Sequence, residues 1–248
     1  MDIYGLFLHM MLQPRSSLST FITTLQSEGR ISFTRAEAIA ALGITEAAFL
    51  KAAARLQKRH TLFNPRHGFY VAFPPQFMSW EAPPPIWYID ALIRHEARPY
   101  YVGLLKAAEL HGASHHAVME FQVVTDKQLR KIRAGRSWVT FYFRKDLESV
   151  RGGIVERKTD TGKMKISSPE LTALDLFRYM HVAGGIDAVA TVLADLGENS
   201  MASNWQRWRH TLSALAAKGS DICLSGSDRP SARRLCTITC PPRKRCRG

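Results

Sequence analysis

The chain has 248 residues, of which 46% are hydrophobic and 22% are charged. This composition predicts a folded protein of one or two domains and excludes a wholly disordered chain. The formal net charge of +13 favours a polyanionic partner, with nucleic acid ahead of an anionic membrane surface. No segment reaches the roughly 20 apolar residues that a membrane span needs, and the N-terminus lacks the pattern of a signal peptide, so we expect a cytoplasmic protein without membrane contact.

The N-terminal part of the sequence predicts several helices. Residues 1–15 are expected to form a flexible extension, and residues 16–27 have the apolar spacing of an amphipathic helix. Thr34 and Glu37 are placed as a capping box at the start of the next helix, and Gly43 is suited to its left-handed end.

A third helix begins almost at once, because Thr45 is a good N-cap directly after this turn. Two helices joined by so short a connection are typical of a helix-turn-helix. Turn residues at 64–65 and 67–68 then separate two apolar runs, which indicates a β-hairpin. Residues 16–73 are therefore predicted to form a winged helix-turn-helix DNA-binding domain.

The remainder of the folded chain predicts a mixed α/β C-terminal domain at residues 86–217, after a proline-rich linker at residues 74–85. Helices are expected at 86–94, in a buried segment that contains Tyr101 and Leu104, after the cap Ser168, at 186–196 and at 200–218. Strands are expected at 121–125 and 138–143, with a hairpin at 153–167. Helices and antiparallel strands without a βαβ rhythm indicate the α+β class.

Residues 218–248 differ from the body in composition. They contain eight Lys/Arg against two Asp/Glu, so nearly half of the net charge lies in them. All four cysteines lie in this segment as well, at spacings that match no common zinc site: Cys223, Cys236, Cys240 and Cys246. We expect a disordered basic tail, either a native arm or a frameshift product, and no bound metal or cofactor.

The helix that follows Thr45 has two different faces. An apolar face with Phe49 and Ala53 is expected to pack inward. A recognition helix enters the major groove by its N-terminal end, where small side chains allow close approach, while longer cations reach phosphates. The predicted DNA-binding residues are Thr45, Ala48, Lys51, Arg55, Lys58 and Arg59 on this helix, with Arg66 and His67 at the tip of the hairpin. A solvated helix face, or a winged helix that binds protein, is the alternative interpretation.

Two other groups of residues suggest different chemistry. Glu156 and Lys158 form an E-x-K pair on a predicted strand, and with Asp126 or Glu120 they could hold the metal of a restriction-type nuclease. A metal-dependent nuclease that is targeted by the winged helix is therefore the alternative to a non-enzymatic protein. The segment "HGASHH" at 111–116 clusters three histidines, for which a loop after a buried helix is the simpler interpretation.

Several segments follow one another in a specific order: the predicted winged helix, "PYYVGLLKAAELHG" at 99–112, "FQVVTD" at 121–126 and "ALDL" at 173–176. Together and in this order, they resemble the AbiEi antitoxins of type IV toxin–antitoxin (abortive-infection) systems. The resemblance runs from about residue 33 to residue 196. Residues after about 218 do not resemble the family.

The resemblance implies a transcriptional autorepressor that binds double-stranded DNA at inverted repeats in the promoter of its own operon. It also implies that the C-terminal domain contributes to repression and counters a nucleotidyltransferase toxin without forming a stable complex with it. The DNA-binding role carries over to Thr45, Lys51, Arg55, Lys58 and Arg59 and to Arg66 in the wing.

Overall fold

The computed structural model describes residues 17–73, 82–113 and 118–200, with the backbone alone for the last three residues. All of them belong to one compact unit, which extends to Asn204. The described part is a mixed α/β structure, consistent with the α+β class. Predictions for residues 1–15, for most of the linker, for the helix at 200–218 and for the tail lie outside the described residues. No helix of the described ranges is long and apolar enough to cross a bilayer.

The N-terminal region contains three helices and a small sheet. Its elements are α1 (Leu18–Ser27), β1 (Ser32–Thr34), α2 (Arg35–Leu42), α3 (Glu46–Lys58), β2 (Leu62–Arg66) and β3 (Phe69–Ala72). Strand β3 lies in the middle of the sheet and pairs antiparallel with both β1 and β2.

Side-chain caps determine where these helices begin. The hydroxyl of Thr34 accepts a hydrogen bond from the backbone N–H of Glu37, whose carboxylate accepts one from the backbone N–H of Thr34. This is the predicted capping box, and Gly43 ends α2 with φ of +60°. The hydroxyl of Thr45 then accepts from the N–H of Ala48, so only three residues separate the end of α2 from the start of α3.

The C-terminal region contains a six-stranded sheet flanked by helices. Its elements are a 3-10 turn (Pro85–Trp87), α4 (Ile89–His95), β4 (Tyr100–Val102), α5 (Leu104–Leu110), β5 (Glu120–Thr125), β6 (Ile132–Ala134), β7 (Ser137–Phe143), a second 3-10 turn (Glu148–Gly153), β8 (Ile154–Thr159), β9 (Gly162–Ser167), α6 (Pro169–Arg178) and α7 (Ile186–Ser200). The strand order is β6-β7-β5-β4-β9-β8.

Two strand pairs of this sheet are parallel, so the expectation of antiparallel strands is wrong for them. Strand β5 pairs parallel with β7, and β4 pairs parallel with β9. The short strand β6 lies between β5 and β7 in the chain and pairs antiparallel with β7. The chain therefore reverses direction twice, and β7 runs parallel to β5. Strand β6 has only three residues, too few to show a period of two in the sequence.

Tyr101 lies in strand β4 and not in the predicted buried helix. Two tyrosines and a valine favour an extended backbone, and Gly103 separates this strand from α5, which begins at Leu104. Gly103 is tightly enclosed, because a Cβ atom there would lie 3.0 Å from the side chain of Val124 and 3.1 Å from that of Tyr101. The glycine therefore lets the chain pass close to β5 before the helix starts.

The small sheet is covered on both faces. Phe33 and Tyr70 face the three N-terminal helices, where the ring of Phe49 packs edge-on against that of Tyr70 at 5.2 Å. Phe69 and Val71, which alternate with Tyr70 along β3, belong to a second cluster. That cluster also contains three groups of residues from the C-terminal region: Tyr88, Ile89, Leu92 and Ile93 around α4, Val123 of β5, and Val139 and Phe141 of β7. Residues on both sides of the predicted linker therefore share one apolar core.

Candidate nucleic-acid interface

Helix α3 buries one side and exposes the other. Phe49 and Ala53 are buried against the N-terminal core, with Leu56 half-buried beside them. The exposed side begins with the small side chain of Ala48, one turn into the helix. Four exposed cations follow it: Lys51, Arg55, Lys58 and the C-cap Arg59. The structure therefore places the predicted residues of this helix together on one exposed surface, which we call the α3 face.

The cations of the α3 face are not neutralised locally. None of the four forms an ion pair with an acidic side chain in the described part of the chain. Glu46 is the acidic residue of the helix, and its Oε1 lies 2.6 Å from Nη1 of Arg35 on α2. The Nε of Arg55 donates only to the carbonyl of Lys51 within its own helix. This surface therefore presents uncompensated positive charge to solvent, as a phosphate-binding surface requires.

The hairpin residues Arg66 and His67 have different surroundings. The Nη2 of Arg66 donates to the carbonyl of Arg130 at 2.6 Å, and its Nε lies 3.5 Å from Oε1 of Glu96. These contacts leave the Arg66 side chain 20% exposed. His67 has an exposed side chain, and its carbonyl accepts a hydrogen bond from Nε2 of His95. The tip of the hairpin is thus held against the C-terminal region, and only His67 of the two projects to solvent.

The residues of the nuclease alternative are far apart. Glu156 lies on the edge strand β8, exposed and paired with Lys163 at 3.1 Å. Asp126 follows β5, three strands away, which corresponds to about 14 Å at the usual interstrand spacing. It lies 3.7 Å from Arg98. The structure therefore does not bring these carboxylates together around a common metal position.

The histidine segment gives no metal site either, as far as it is described. His115 and His116 lie outside the described residues. Nε2 of His111 donates to the carbonyl of Ser167 at 2.7 Å, and burial lowers the pKa of His111. No group of three or more His, Cys, Asp or Glu suited to a metal occurs among the residues that the structure describes.

A buried polar cluster lies in the C-terminal region, and it was not predicted. Asp175 on α6 is fully buried, and its Oδ1 accepts from Nη1 of Arg144 at 2.5 Å. Its Oδ2 accepts from the hydroxyl of Tyr101 at 2.7 Å. The Nη1 of Arg144 also lies 3.3 Å from that hydroxyl. The cluster joins β4, the end of β7 and α6, so it fixes the position of α6 on the sheet.

The cluster continues outward to the surface through Asp146. Its Oδ1 lies 3.4 Å from Nε of Arg144 and 3.6 Å from Nη2 of Arg178. Burial alone would raise the pKa of Asp146, but hydrogen bonds to its carboxylate and the charges of Arg144 and Arg178 together lower it. The signal in the sequence was a single aspartate in the apolar segment "ALDL", since a charged residue on a buried helix face needs a partner. The sequence does not show that the partner is Arg144.

Comparison with known families identifies part of the C-terminal region. Residues 101–217 match the model of the AbiEi antitoxin C-terminal domain. No curated protein matches the chain. The matched segment begins at Tyr101 and contains the whole buried cluster. The family is one of antitoxins, a regulatory kind of protein, and it implies a toxin as the functional partner. Residues 101–217 thus match an AbiEi antitoxin C-terminal domain, which supports the resemblance of the sequence to AbiEi-type antitoxins.

Proposed function

We propose that the chain is a DNA-binding antitoxin that represses its own operon, with α1–α3 and the hairpin β2–β3 as a winged helix-turn-helix. The order of these elements supports the proposal, since a capped helix, a three-residue turn and a second capped helix precede an antiparallel hairpin. The AbiEi domain that follows supports the antitoxin role. The resemblance to type IV systems adds double-stranded promoter DNA, with inverted repeats, as the ligand.

The α3 face is the observation that carries the proposal. It has small residues at the end of the helix that would enter the major groove, and unpaired cations along the rest. Thr45 and Ala48 would contact base edges. The longer side chains would contact phosphates on either side of the groove: Lys51, Arg55, Lys58 and Arg59. His67 remains a proposed backbone contact, whereas the guanidinium of Arg66 is engaged within the protein, so we leave it out of the proposed interface.

The test of DNA binding is a fluorescence-anisotropy titration with the full chain. The labelled duplexes are the DNA directly upstream of its own gene and a scrambled duplex of equal length, each at about 50 and about 200 mM salt. Specific repression predicts affinity for the upstream DNA at least about a hundredfold above that for the scrambled duplex, and a steep loss of affinity with salt. Equal affinity for the two duplexes would overturn the repressor assignment, because charge alone binds DNA without preference.

The antitoxin part of the proposal needs a separate test. The chain is co-expressed with the nucleotidyltransferase toxin of its operon, and growth and co-purification are measured together. Countering the toxin without a stable complex predicts restored growth and no toxin in the purified antitoxin. Toxin that co-purifies in stoichiometric amount would contradict the type IV mechanism while leaving an antitoxin role in place.

A further inference from the structure

The N-terminal end of α3 offers few groups that could hydrogen-bond to bases. Its first two turns are residues 46–52, and no Asn, Gln, Arg, Ser or Thr occurs among them. Those residue types form many of the hydrogen bonds by which proteins distinguish base edges in the major groove. The exposed residues of these two turns are Glu46, Ala47, Ala48, Leu50 and Lys51.

The polar groups at this end of the helix have other roles. Oε1 of Glu46 lies 2.6 Å from Nη1 of Arg35, so this carboxylate is held by the neighbouring helix α2. The hydroxyl of the N-cap Thr45 accepts the N–H of residue 48, which leaves it only its own proton to donate. Lys51 has the long cationic side chain that suits a phosphate contact. The exposed side chains that remain are apolar: Ala47, Ala48 and Leu50.

Leu50 is the largest of these apolar side chains. It is 43% exposed, and among the described residues 17–73 it is the one large apolar side chain that is exposed. Its neighbours on the helix surface, three positions before and four after, are the exposed Ala47 and Ala54, so the leucine projects beyond them. At 100° per residue, Leu50 and Ala48 flank the exposed side of the helix, with Lys51 between them.

A single exposed leucine has ordinary explanations, because apolar residues are common on protein surfaces and leucine favours helices. Those explanations apply to any exposed helix and do not account for its place beside the cations of the α3 face. A duplex that bound these cations would also cover Leu50. Covering an apolar group is favourable when it meets another apolar group, and thymine presents one in the major groove, its C5-methyl.

We propose that Leu50 contributes to sequence preference by packing against the C5-methyl group of a thymine in the major groove, with Ala47 beside it. This inference rests on the proposed function and deepens it, since it names the base chemistry that the promoter DNA presents to α3. The cations of the α3 face position the helix on the phosphates, and Leu50 discriminates between bases. Each inverted repeat should therefore carry a thymine at the same position.

The test replaces thymine by uracil, which keeps the base pairing and removes only the methyl group. Anisotropy titrations of the full chain compare the upstream duplex with its uracil form, for the wild type and for Leu50→Ala. Burying one methyl group changes affinity about fourfold, so two half-sites predict a loss of about tenfold or more for the wild type. Leu50→Ala should bind the thymine duplex about tenfold more weakly and lose less than about threefold on substitution.

Matched variants separate the methyl contact from general effects. Leu50→Met keeps a large apolar side chain and should keep the dependence on the methyl group. Val155→Ala removes an exposed apolar side chain from strand β8 and should leave both affinities unchanged. The scrambled duplex should bind equally in its two forms, because phosphate contacts do not involve the methyl group. Melting temperatures should show that each variant is folded.

Two results would overturn the inference alone. One is specific binding of the upstream duplex with equal affinity for its thymine and uracil forms. The other is a loss on uracil substitution that persists undiminished in folded Leu50→Ala, since another residue would then contact the methyl group. Light scattering adds a third: if Leu50→Ala changed the oligomeric state and the methyl group had no effect, Leu50 would be a contact between copies of the chain.

Failure of the proposed function would look different. If the wild-type chain bound the upstream and scrambled duplexes equally, the repressor assignment would fail. A loss of affinity for both duplexes on uracil substitution, absent in Leu50→Ala, would in that case keep the contact between Leu50 and thymine.

Discussion

The guanidinium of Arg144 and the carboxylate of Asp175 form a buried pair, with Nη1 2.5 Å from Oδ1, that ties the end of β7 to helix α6. The Arg144 side chain is 8% exposed and that of Asp175 is fully buried. A charged pair in such a place is costly to separate, because either partner alone would be an uncompensated buried charge. The pair lies inside the segment that matches the AbiEi family, so it belongs to the framework of the antitoxin domain.

Replacing Arg144 by methionine should strongly destabilise the domain. The change keeps much of the side-chain volume but leaves Asp175 without its cation, for which we expect a loss of about 3–5 kcal/mol in the free energy of unfolding. Urea unfolding followed by circular dichroism measures it. Lys145→Met, at the exposed neighbouring position, is the control and should change stability by less than about 0.5 kcal/mol. A similar small loss in both variants would show that the pair contributes little.

The free energy of unfolding should depend on pH through the titration of Asp175. Burial raises the pKa of Asp175 to about 6, and the hydrogen bonds from Tyr101 and Arg144 offset this only in part. A carboxyl whose pKa is higher in the folded state stabilises the fold fully below its unfolded pKa of about 4, and this contribution is lost as the pH rises through about 6. Asp175→Asn removes the titration.

We therefore expect the unfolding free energy of the wild type, minus that of Asp175→Asn, to fall by roughly 3 kcal/mol between pH 4 and pH 7. Urea titrations at unit steps of pH measure this difference. A difference that rises over the same range would mean that the attraction of Arg144 for the ionised carboxylate outweighs the cost of burial.

Local features of the fold were predictable and long-range ones were not. The N-caps Thr34, Thr45 and Ser168 set helix starts where the sequence indicated them, because a cap depends on residues only three positions apart. Strands β4 and β6 were missed, and so were the parallel pairings. Each of these strands has three residues, and their place in the sheet depends on partners far along the chain.

The candidate site likewise has local features that were predictable and long-range contacts that were not. The α3 face follows from helical spacing alone, so the structure brings together the residues that the sequence grouped. Arg66 was predicted from its position in a turn, but its surroundings depend on Arg130 and Glu96, which are 64 and 30 positions away. The pairing of Asp175 with Arg144 was unpredictable for the same reason, since no local pattern specifies a contact between residues 31 positions apart.

Removing single cations from the α3 face should weaken DNA binding uniformly. Arg55→Ala and Lys58→Ala are each expected to reduce affinity for all duplexes and to flatten the salt slope by about one unit, the amount that one lost phosphate contact predicts. Anisotropy titrations over a salt series measure the slope. Lys158→Ala, on strand β8, is the control for a lost positive charge. Slopes equal to that of the wild type would exclude these two residues from the interface.

Arg66→Ala should affect stability more than DNA binding. The variant loses the hydrogen bond to the Arg130 carbonyl and the contact with Glu96, which we expect to lower the unfolding free energy by about 1–3 kcal/mol. The guanidinium of Arg66 is engaged within the protein and does not belong to the α3 face, so the salt slope should change by less than half a unit. A slope that falls by a full unit without a loss of stability would instead return Arg66 to the DNA interface.

Ala48→Leu should abolish specific binding without unfolding the protein. Ala48 is exposed one turn into α3, and leucine is nearly as good a helix former, so stability should stay within about 0.5 kcal/mol of the wild type. A larger side chain there would keep α3 out of the major groove, because the groove is only just wide enough for a helix. Affinity for the upstream DNA should fall at least about tenfold, towards that for the scrambled duplex. Ala190→Leu, on an exposed position of α7, is the matched control and should leave both affinities unchanged. Preference for the upstream DNA that survives Ala48→Leu would mean that the N-terminal end of α3 does not read the bases.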